Sequence, residues 1–294
     1  MKFVVGIDGG GTGCRAALAT AAGQIVGRGK AGPANIRTDL SRARENIVDA
    51  ATQAFKEAGH DPALITSTGA VLGLAGTNVG TYAQQLETIL PFAQSRVVND
   101  ALIALDGAVG EGRDGAIAIL GTGTAYLVRR NGKARAVGGW GFQVGDQGSG
   151  GRIGRDLLEE TLLAHDGIRP ASPLTAEILA VFRGDPQDVV EFTINASPGD
   201  YGGFAPKVFE YASRGDPVAE MILARAVAAV EASLAALDLD EGMPLCLLGG
   251  LAPLHAKRLS PRYQALLREP RTDALGGAVA MAARLFGGTE RADV

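Results

Sequence analysis

The chain opens with three short apolar runs that are separated by small and polar residues. Runs of this length, rich in Val, Ile and Ala, are typical of buried strands. The pattern predicts strands at 3–7, 14–20 and 24–30, with a turn at 21–23 joining the last two. The opening unit is therefore predicted to be a β-meander.

A helical spacing follows the meander. Small and apolar residues recur at steps of four and three between Ala43 and Ala58, which places them on one face of a helix ended by Gly59. The remaining patterns of the first half predict a helix at 40–58, a strand at 70–75, a helix around 82–89 and a short strand at 96–98. Alternating strands and helices indicate an α/β fold.

The opening pattern returns later in the chain. Strands are predicted at 116–120, 125–130 and 133–138, with a Gly/Thr turn after the first of them. A shift of 112 positions places Ile7, Gly9, Gly11 and Thr12 on Ile119, Gly121, Gly123 and Thr124. An internal duplication of this length predicts two related domains, because the repeats of solenoids are several-fold shorter.

The segment 107–115 is rich in glycine and charge and lies between two apolar runs, so it is predicted to be an exposed crossing between domains. We expect a first domain at 1–110, completed by the C-terminal helix at about 274–294, and a second domain at 111–273 with helical insertions. Those insertions are predicted at 152–165, 173–182, 204–213 and 217–237, with one strand at 244–248.

Composition narrows the classes of partner. The 294 residues include 28 Lys and Arg against 32 Asp and Glu, a net charge of -4, which argues against binding to a nucleic-acid backbone. No apolar stretch approaches the roughly 20 residues needed to span a bilayer, and the N-terminal run is too short for a signal peptide. We therefore expect a cytoplasmic protein with no nucleic-acid and no membrane partner.

The cysteines and histidines carry little of the predicted chemistry. Cys14 and Cys246 have no CxxC spacing, and each stands inside an apolar strand, so both are expected to be small buried hydrophobes. His60, His165 and His255 are far apart and lie near helix ends, which argues against a metal cluster or a triad. All three are expected to be solvated.

Glycine turns are the first candidates for chemistry. The sequence Asp8-Gly9-Gly10-Gly11-Thr12 follows a buried strand, and glycines there let backbone N–H groups approach a ligand such as phosphate. Asp8 can hold Mg²⁺ through water. The alternative is a tight hairpin that only needs positive φ angles.

Two further glycine sequences strengthen the phosphate interpretation. The turn Gly121-Thr122-Gly123-Thr124 repeats the first, so two turns could bind one polyphosphate. Gly249 and Gly250 follow a late strand and could support an adenine ring, although a plain strand-to-helix turn is equally consistent with them.

Asp100 and Asn35 each have two interpretations. Asp100 follows a strand, at the edge where open α/β folds bind ligands, and could accept a proton from a substrate hydroxyl. Asn35 precedes a helix and could bind substrate hydroxyls. Both residue types are also common helix N-caps, which is the simpler explanation on local sequence alone.

A glycine-dense stretch at 138–151 holds the chain's one tryptophan, Trp140. Together with Gly141 and Asp146 it offers backbone room, an aromatic face and a carboxylate, which suit a sugar site. A disordered loop or a hinge is the alternative.

The motifs taken together resemble the BadF/BadG/BcrA/BcrD ATPase family of the actin-like sugar kinase and Hsp70 superfamily. Within it the chain is most similar to bacterial glucosamine kinases, and next to N-acetylglucosamine kinases. The resemblance rests on GIDGGGTGCRA, AGPANI, GLAG, GTGT, GGWG, GDQGSGG, LLAHDGIRPASPL, DYGGFAP and GDPVAE, which cover nearly the whole chain.

The resemblance implies two RNase H-like domains with a central cleft. It also implies ATP and Mg²⁺ as cofactors, an amino sugar as substrate, and a homodimer. The implied reaction transfers a phosphoryl group from ATP to the 6-hydroxyl of glucosamine. N-acetylglucosamine kinase is the alternative, and an ATP-driven activator of a reductase or dehydratase or a sugar sensor of the ROK type are more distant ones.

The resemblance also assigns roles to residues. Asp8 would organise Mg²⁺ and Asp100 would be the catalytic base. ATP would be bound by Gly10, Gly11, Thr12, Gly121, Thr122, Gly123, Thr124, Gly249 and Gly250. The sugar would be bound by Asn35, Asp100, Trp140, Gly141 and Asp146. Three carboxylates, Asp39, Asp146 and Asp200, are candidates to pair with a free amine.

Overall fold

The computed structural model describes residues 1–77 and 80–288. Within this part of the chain the fold is α/β, and two compact units can be distinguished. The first contains residues 1–115, 129–134 and the described residues from Glu269 onward, and the second contains residues 116–128 and 135–268. Residues 289–294, which were included in the predicted C-terminal helix, lie outside the described residues.

The first unit is built on a five-stranded sheet with the order β3-β2-β1-β4-β5. The strands are β1 (Phe3–Gly9), β2 (Cys14–Thr20), β3 (Ile25–Ala31), β4 (Gly69–Leu74) and β5 (Gln94–Asn99). The helices are α1 (Leu40–Glu57), a 3-10 helix (Pro62–Ser67), α2 (Tyr82–Ile89), α3 (Asp100–Val109) and α12 (Ala274–Phe286).

Strand direction decides where this sheet can present polar groups. β1 runs antiparallel to β2 but parallel to β4, and β4 runs parallel to β5. The carboxyl ends of β1, β4 and β5 therefore meet at one edge of the sheet, the edge at which open α/β folds bind ligands.

Glycines allow the helices of this unit to approach closely. A Cβ at Gly29 of β3 would lie 2.0 Å from the carbonyl oxygen of Ala50 in α1. Between α3 and α12, a Cβ at Gly277 would lie 2.0 Å from the Ile103 carbonyl oxygen and 2.5 Å from the backbone nitrogen of Gly107. The α3–α12 contact is thus made backbone to backbone.

The prediction of an exposed crossing at 107–115 was wrong for its first three residues and for Gly115, which is buried at the start of β6. Gly107, Ala108 and Val109 are buried and complete α3. Gly107 also accepts a hydrogen bond from the N–H of Thr272, and a Cβ there would lie 2.2 Å from the Asp273 carbonyl oxygen. Gly107 therefore serves close packing, which composition cannot distinguish from a flexible linker.

The second unit holds a four-stranded sheet with the order β8-β7-β6-β9 and most of the helices. The strands are β6 (Gly115–Leu120), β7 (Thr124–Arg130), β8 (Lys133–Gly138) and β9 (Leu245–Leu248). The helices are α4 (Gly150–His165), α5 (Pro173–Val181), α6 (Pro186–Asn195), α7 (Pro198–Gly202), α8 (Ala205–Ala212), α9 (Pro217–Ala235), α10 (Ala252–Ala256) and α11 (Pro261–Gln264).

The two sheets repeat one strand order. Each has a three-stranded run in sequence order, followed by a later strand parallel to the first, since β4 lies beside β1 and β9 lies beside β6. This shared topology agrees with the duplication seen in the sequence.

The tip of the β7–β8 hairpin, Arg129–Ala134, groups with the first unit, whereas the predicted second domain contained it. Its Arg129 is paired with Asp106 of α3, and the exposed fractions of these side chains are only 7% and 2%. The predicted limits of the two domains otherwise stay predictions. No helix among residues 1–77 and 80–288 is long and apolar enough to cross a membrane.

Candidate functional site

The first glycine turn connects β1 to β2 and leaves open space above its backbone. The N–H of Gly10 donates to the Gly13 carbonyl at 2.9 Å, and a Cβ at Gly10 or Gly11 would meet nothing within 4 Å. Neither glycine has a positive φ angle. The alternative of a hairpin that needs left-handed backbone is therefore wrong for these two residues, and what their lack of a Cβ provides is room.

A pocket of about 350 Å³ lies at this turn within the first unit. Asp8, Gly10 and Thr12 line it together with two cationic side chains, Arg15 and Lys30. The positive charges of Arg15 and Lys30 favour an anion, and the Asp8 carboxylate, which pairs with Arg15, offsets one of them.

Arg15 is a site residue that the sequence interpretation missed. Its guanidinium donates to the Asp8 carboxylate at 2.5 Å and to the Asp273 carboxylate at 3.0 Å. Asp273 also caps α12 by accepting from the N–H of Gly276. Arg15 could have been suspected from its place three residues after Thr12, but no sequence signal connects it with Asp273.

Asp100 is the first residue of α3 and follows β5 directly. The helix cap is Asn99, whose side chain accepts from the N–H of Ala101 at 2.9 Å. Asp100 Oδ1 accepts from the same N–H at 2.9 Å, so capping is shared and not its sole role. Burial raises the pKa of Asp100, and the negative charge of Asp8 raises it further.

Asn35 lies beside the first turn, because the neighbouring Ala34 N–H donates to the Gly10 carbonyl. Its side-chain oxygen accepts from the N–H of Arg37 at 3.1 Å. The N-cap of α1 is Asp39, which accepts from the N–H of Arg42. The capping interpretation of Asn35 was therefore wrong.

The second glycine turn follows β6 in the second unit and is tied to the start of α4. The N–H of Gly121 donates to the Gly123 carbonyl, and the N–H groups of Gly150 and Gly151 donate to the carbonyls of Gly121 and Thr122. A Cβ at Gly121 would again meet nothing within 4 Å. The turn thus has an open side and a firmly bonded side.

Asp146 is buried against this turn. Its Oδ1 accepts from the N–H of Thr124 at 3.3 Å, and its own φ angle is +58°, which is unusual for a residue with a side chain. A Cβ at Gly123 would lie 2.8 Å from Asp146 Oδ2, so the carboxylate can approach only because position 123 is glycine. Burial raises the pKa of Asp146.

Trp140 and Gly141 lie in the loop between β8 and α4. The exposed fraction of Trp140 is 78%, and Gly141 has a φ angle of +89°. The indole is therefore available to a ligand.

Gly249 and Gly250 follow β9, beside the carboxyl end of β6. Gly249 has a φ angle of +92°, and a Cβ there would lie 2.4 Å from the Leu120 carbonyl oxygen. A Cβ at Gly250 would meet nothing within 4 Å. The first glycine is needed by the fold, whereas the second leaves an open surface.

These two neighbours provide a matched test. Gly249→Ala is expected to lower the free energy of unfolding by at least about 1–2 kcal/mol, since it forces a side chain into left-handed backbone against a carbonyl. The free energy of unfolding of Gly250→Ala is expected to stay within about 0.5 kcal/mol of that of the native chain. Urea denaturation followed by circular dichroism measures both, and equal losses would contradict the assignment.

The predicted site residues thus form two groups, one in each unit. Asp8, Gly10, Gly11, Thr12, Asn35 and Asp100 lie in the first unit. Gly121, Thr122, Gly123, Thr124, Trp140, Gly141, Asp146, Gly249 and Gly250 lie in the second.

Both cysteines and one of the histidines are buried. Cys14 and Cys246 are buried in β2 and β9 as expected, and burial, with the nearby charge of Asp8, raises the pKa of Cys14 to about 12. His255 is fully buried, so the prediction that all three histidines are solvated was wrong for it.

The described residues hold no cluster of three or more His, Cys, Asp or Glu side chains able to bind a metal. Mg²⁺ that arrives with a nucleotide needs only one or two carboxylates, because phosphates and water supply its other ligands. Asp8, with Asp100 near enough to interact electrostatically, fits that requirement.

Two mixed sheets of one strand order, each with an open glycine turn after its first strand, define an actin-like ATPase fold. The sequence pattern of the BadF/BadG/BcrA/BcrD ATPase family matches residues 5–279. The chain belongs to this family, which confirms the resemblance drawn from its motifs.

Individual proteins agree with this assignment. Glucosamine kinase GspK of Vibrio cholerae is 38% identical over 285 residues, which cover 97% of this chain and 97% of that protein. The N-acetyl-D-glucosamine kinase of Dictyostelium discoideum is 28% identical, with 89% and 91% covered. The crystal structure of a candidate N-acetylglucosamine kinase from Chromobacterium violaceum has a TM-score of 0.86 and 31% identity, with 96% and 99% covered, which confirms the predicted fold class.

Proposed function

We propose that the chain is an ATP-dependent amino-sugar kinase that transfers a phosphoryl group to the 6-hydroxyl of glucosamine, giving glucosamine 6-phosphate and ADP. N-acetylglucosamine is the alternative acceptor. Similarity to proteins named for these two activities supports the class of reaction.

One observation carries the proposal most directly. The edge formed by the carboxyl ends of β1, β4 and β5 carries the Asp8 and Asp100 carboxylates, which are near enough to interact electrostatically, beside an open glycine turn. Phosphoryl transfer needs a phosphate cradle, a carboxylate for the metal and a group that receives the proton of the attacking hydroxyl. This edge offers a candidate for each of the three.

The turns would contact the phosphates of ATP through backbone N–H groups and the hydroxyls of Thr12 and Thr122, whereas the buried Thr124 hydroxyl donates to the Gln147 carbonyl. A Cβ at Gly10, Gly11 or Gly121 would meet nothing within 4 Å, so the backbone is open to a ligand at these three glycines. Gly250 would support the adenine ring. Such fixed donors favour the charge that spreads over the phosphate oxygens during transfer.

Mg²⁺, when bound with ATP, would neutralise phosphate charge. Asp8 would hold it through water, and Arg15 would give up its ion pair with Asp8 when it does so. Arg15 would then keep its second carboxylate partner, Asp273.

Asp100 would orient the sugar hydroxyl and accept its proton. Its raised pKa makes the carboxylate a better base than an exposed aspartate. The hydrogen bond that Asp100 Oδ1 accepts from the N–H of Ala101 holds the side chain in place.

The fold also narrows the choice of an amine partner. Asp39 caps α1 and Asp200 caps α7 in a capping box with Ser197, so each already has a role at the start of a helix. Asp146 caps no helix and lies against the second glycine turn, with Oδ2 close to Gly123. We therefore assign the sugar amine to Asp146.

ADP release with Mg²⁺-ATP tests the function against glucosamine, N-acetylglucosamine, glucose and no sugar. Turnover that depends on sugar and prefers glucosamine is expected. Preference for N-acetylglucosamine would keep the kinase and overturn the acceptor. Hydrolysis at the same rate with every sugar and with none would contradict the kinase itself.

A further inference from the structure

His255 is a fully buried titratable side chain that the proposed reaction does not use. It lies in α10, six residues after Gly249, and its exposed fraction is 0%. Its ring packs edge-on against Phe209, with 6.1 Å between centroids. A buried polar ring at this position calls for a reason, because burial of unsatisfied polar groups is costly.

The ring makes one hydrogen bond. Nε2 lies 3.1 Å from the carbonyl oxygen of Gly148, and since a carbonyl only accepts, Nε2 must carry the proton. Nδ1 is buried and has no hydrogen-bond partner in the described part of the chain. Adding a proton would place an unmatched donor at Nδ1, so the ring is held neutral, and burial accordingly lowers the pKa of His255.

Gly148 belongs to a short segment with left-handed backbone. Gly148 and Asp146 have φ angles of +79° and +58°, of which only the second is uncommon for its residue type. A Cβ at Gly148 would lie 2.7 Å from the Ala226 carbonyl oxygen, so the segment packs closely against α9. An uncommon conformation such as that of Asp146 persists only where surrounding contacts hold it.

The segment is what places the Asp146 carboxylate. The N–H of Ser149 donates to the Asp146 carbonyl at 3.0 Å, and Asp146 Oδ1 accepts from Thr124 of the second turn. The Gly148 carbonyl therefore lies two residues from a carboxylate with restricted orientation. A bond that fixes this carbonyl also restricts Asp146.

On its other side His255 is fixed to the sheet. Its backbone N–H donates to the Leu251 carbonyl, and the N–H of Leu251 donates to the carbonyl of Leu120 at the end of β6. His255 therefore links the carboxyl end of β6 to the Gly148 carbonyl through hydrogen bonds at both of its ends.

We propose that His255 is a positioning residue for the acceptor sugar: its Nε2–H holds the Gly148 carbonyl and so keeps the Asp146 carboxylate in the orientation that receives the sugar. This inference rests on the proposed function, because it assigns Asp146 to the sugar. His255 touches neither substrate and takes part in no proton transfer.

Two variants separate the hydrogen bond from the ring. In His255→Gln the amide nitrogen can take the place of Nε2 and donate to Gly148. In His255→Phe the ring and its packing against Phe209 remain, but the donor is lost. Loss of one hydrogen bond to a buried carbonyl is expected to raise the KM for the sugar about 10-fold in the Phe variant. The Gln variant should stay within about 3-fold, and ATP affinity should change less than 2-fold in both.

A second measurement needs neither substrate nor activity. Trp140, the one tryptophan of the chain, lies in the loop that leads to Asp146, so its fluorescence anisotropy reports on that loop. Anisotropy should fall in the Phe variant and be preserved in the Gln variant. In the native chain, ¹⁵N chemical shifts should show a neutral Nε2–H tautomer from pH 5 to 8.

The outcomes distinguish this inference from the proposed function. Suppose that native protein has no sugar-dependent turnover, but that the anisotropy and the tautomer are as expected. The proposed function then fails. The His255–Gly148 hydrogen bond is confirmed, but its role in positioning a sugar ligand is overturned. A charged ring at pH 7, or equal effects of both variants on sugar and ATP, would overturn the inference with the kinase intact. A Phe variant that does not fold would show that the His255 hydrogen bond is needed by the fold as a whole, and would overturn the positioning role.

Discussion

Asp100→Asn is expected to lower kcat by about 10²–10⁴-fold while the affinity for ATP stays nearly that of the native chain. The amide keeps the size of the side chain and can still accept from the N–H of Ala101, so α3 retains its start. What it loses is the ability to take a proton from the sugar hydroxyl. Single-turnover phosphorylation and equilibrium binding of ATP measure the two quantities separately.

The dependence of kcat/KM on pH is a second expected result for Asp100. The ionised form of Asp100 is the active one, so kcat/KM should fall as the pH falls through its pKa. Burial and the charge of Asp8 place that pKa above the ordinary aspartate value, so the loss should begin at a higher pH than for an exposed carboxylate.

Asn99→Ala is the matched control, because it removes the neighbouring cap and leaves the carboxylate. The substitution is expected to lower the free energy of unfolding by about 1 kcal/mol and to leave kcat nearly unchanged. If Asp100→Asn weakened ATP binding and stability as much as it slowed turnover, Asp100 would be a structural residue and the base would have to be sought elsewhere.

Arg129→Met is expected to lower the free energy of unfolding by about 3–5 kcal/mol. Both members of the Arg129–Asp106 pair are almost fully buried, and removal of the cation leaves an uncompensated carboxylate in the first unit. Burial raises the pKa of Asp106 in spite of this partner, so the surroundings oppose its charged form. Urea denaturation at pH 7 measures the loss.

Two further variants complete this experiment. The double variant Asp106→Leu/Arg129→Met removes both charges and is expected to recover most of the loss. Arg284→Met breaks the pair with Glu111, where the arginine is 56% exposed, and should cost about 0–1 kcal/mol. Equal costs for Arg129→Met and Arg284→Met would show that burial does not govern these pairs.

Local sequence predicted those features of the site that local sequence determines. Gly10, Gly11 and Gly121 stand directly after apolar strands, and the periodicity of those strands was strong enough to place the turns. Asp100 was placed because it follows β5 at the edge shared by parallel strands. The role of Asn35 could not be chosen from composition, since Asp39 competes for the same cap and only coordinates decide between them.

Contacts between residues far apart in the sequence could not be predicted. Arg15 and Asp273 are 258 positions apart, and His255 and Gly148 are 107 apart, so no window of sequence contains either pair. Helix α6 was missed because its exposed Val190 and Ile194 break the expected division into apolar and polar faces. Gly107 was misinterpreted because a glycine in a tight helix contact and a glycine in a linker look alike in sequence.

The backbone contact between α3 and α12 limits how this protein can vary. A larger residue at Gly277 would strike the backbone at Gly107 and at Ile103, and no reduction elsewhere could offset it, since Gly107 is already the smallest residue. Most core positions allow compensation, in which one side chain grows as its neighbour shrinks. Gly107 and Gly277 cannot compensate for each other in this way. Selection for folded protein from a saturation library at these two positions should therefore yield glycine at both, and no other combination.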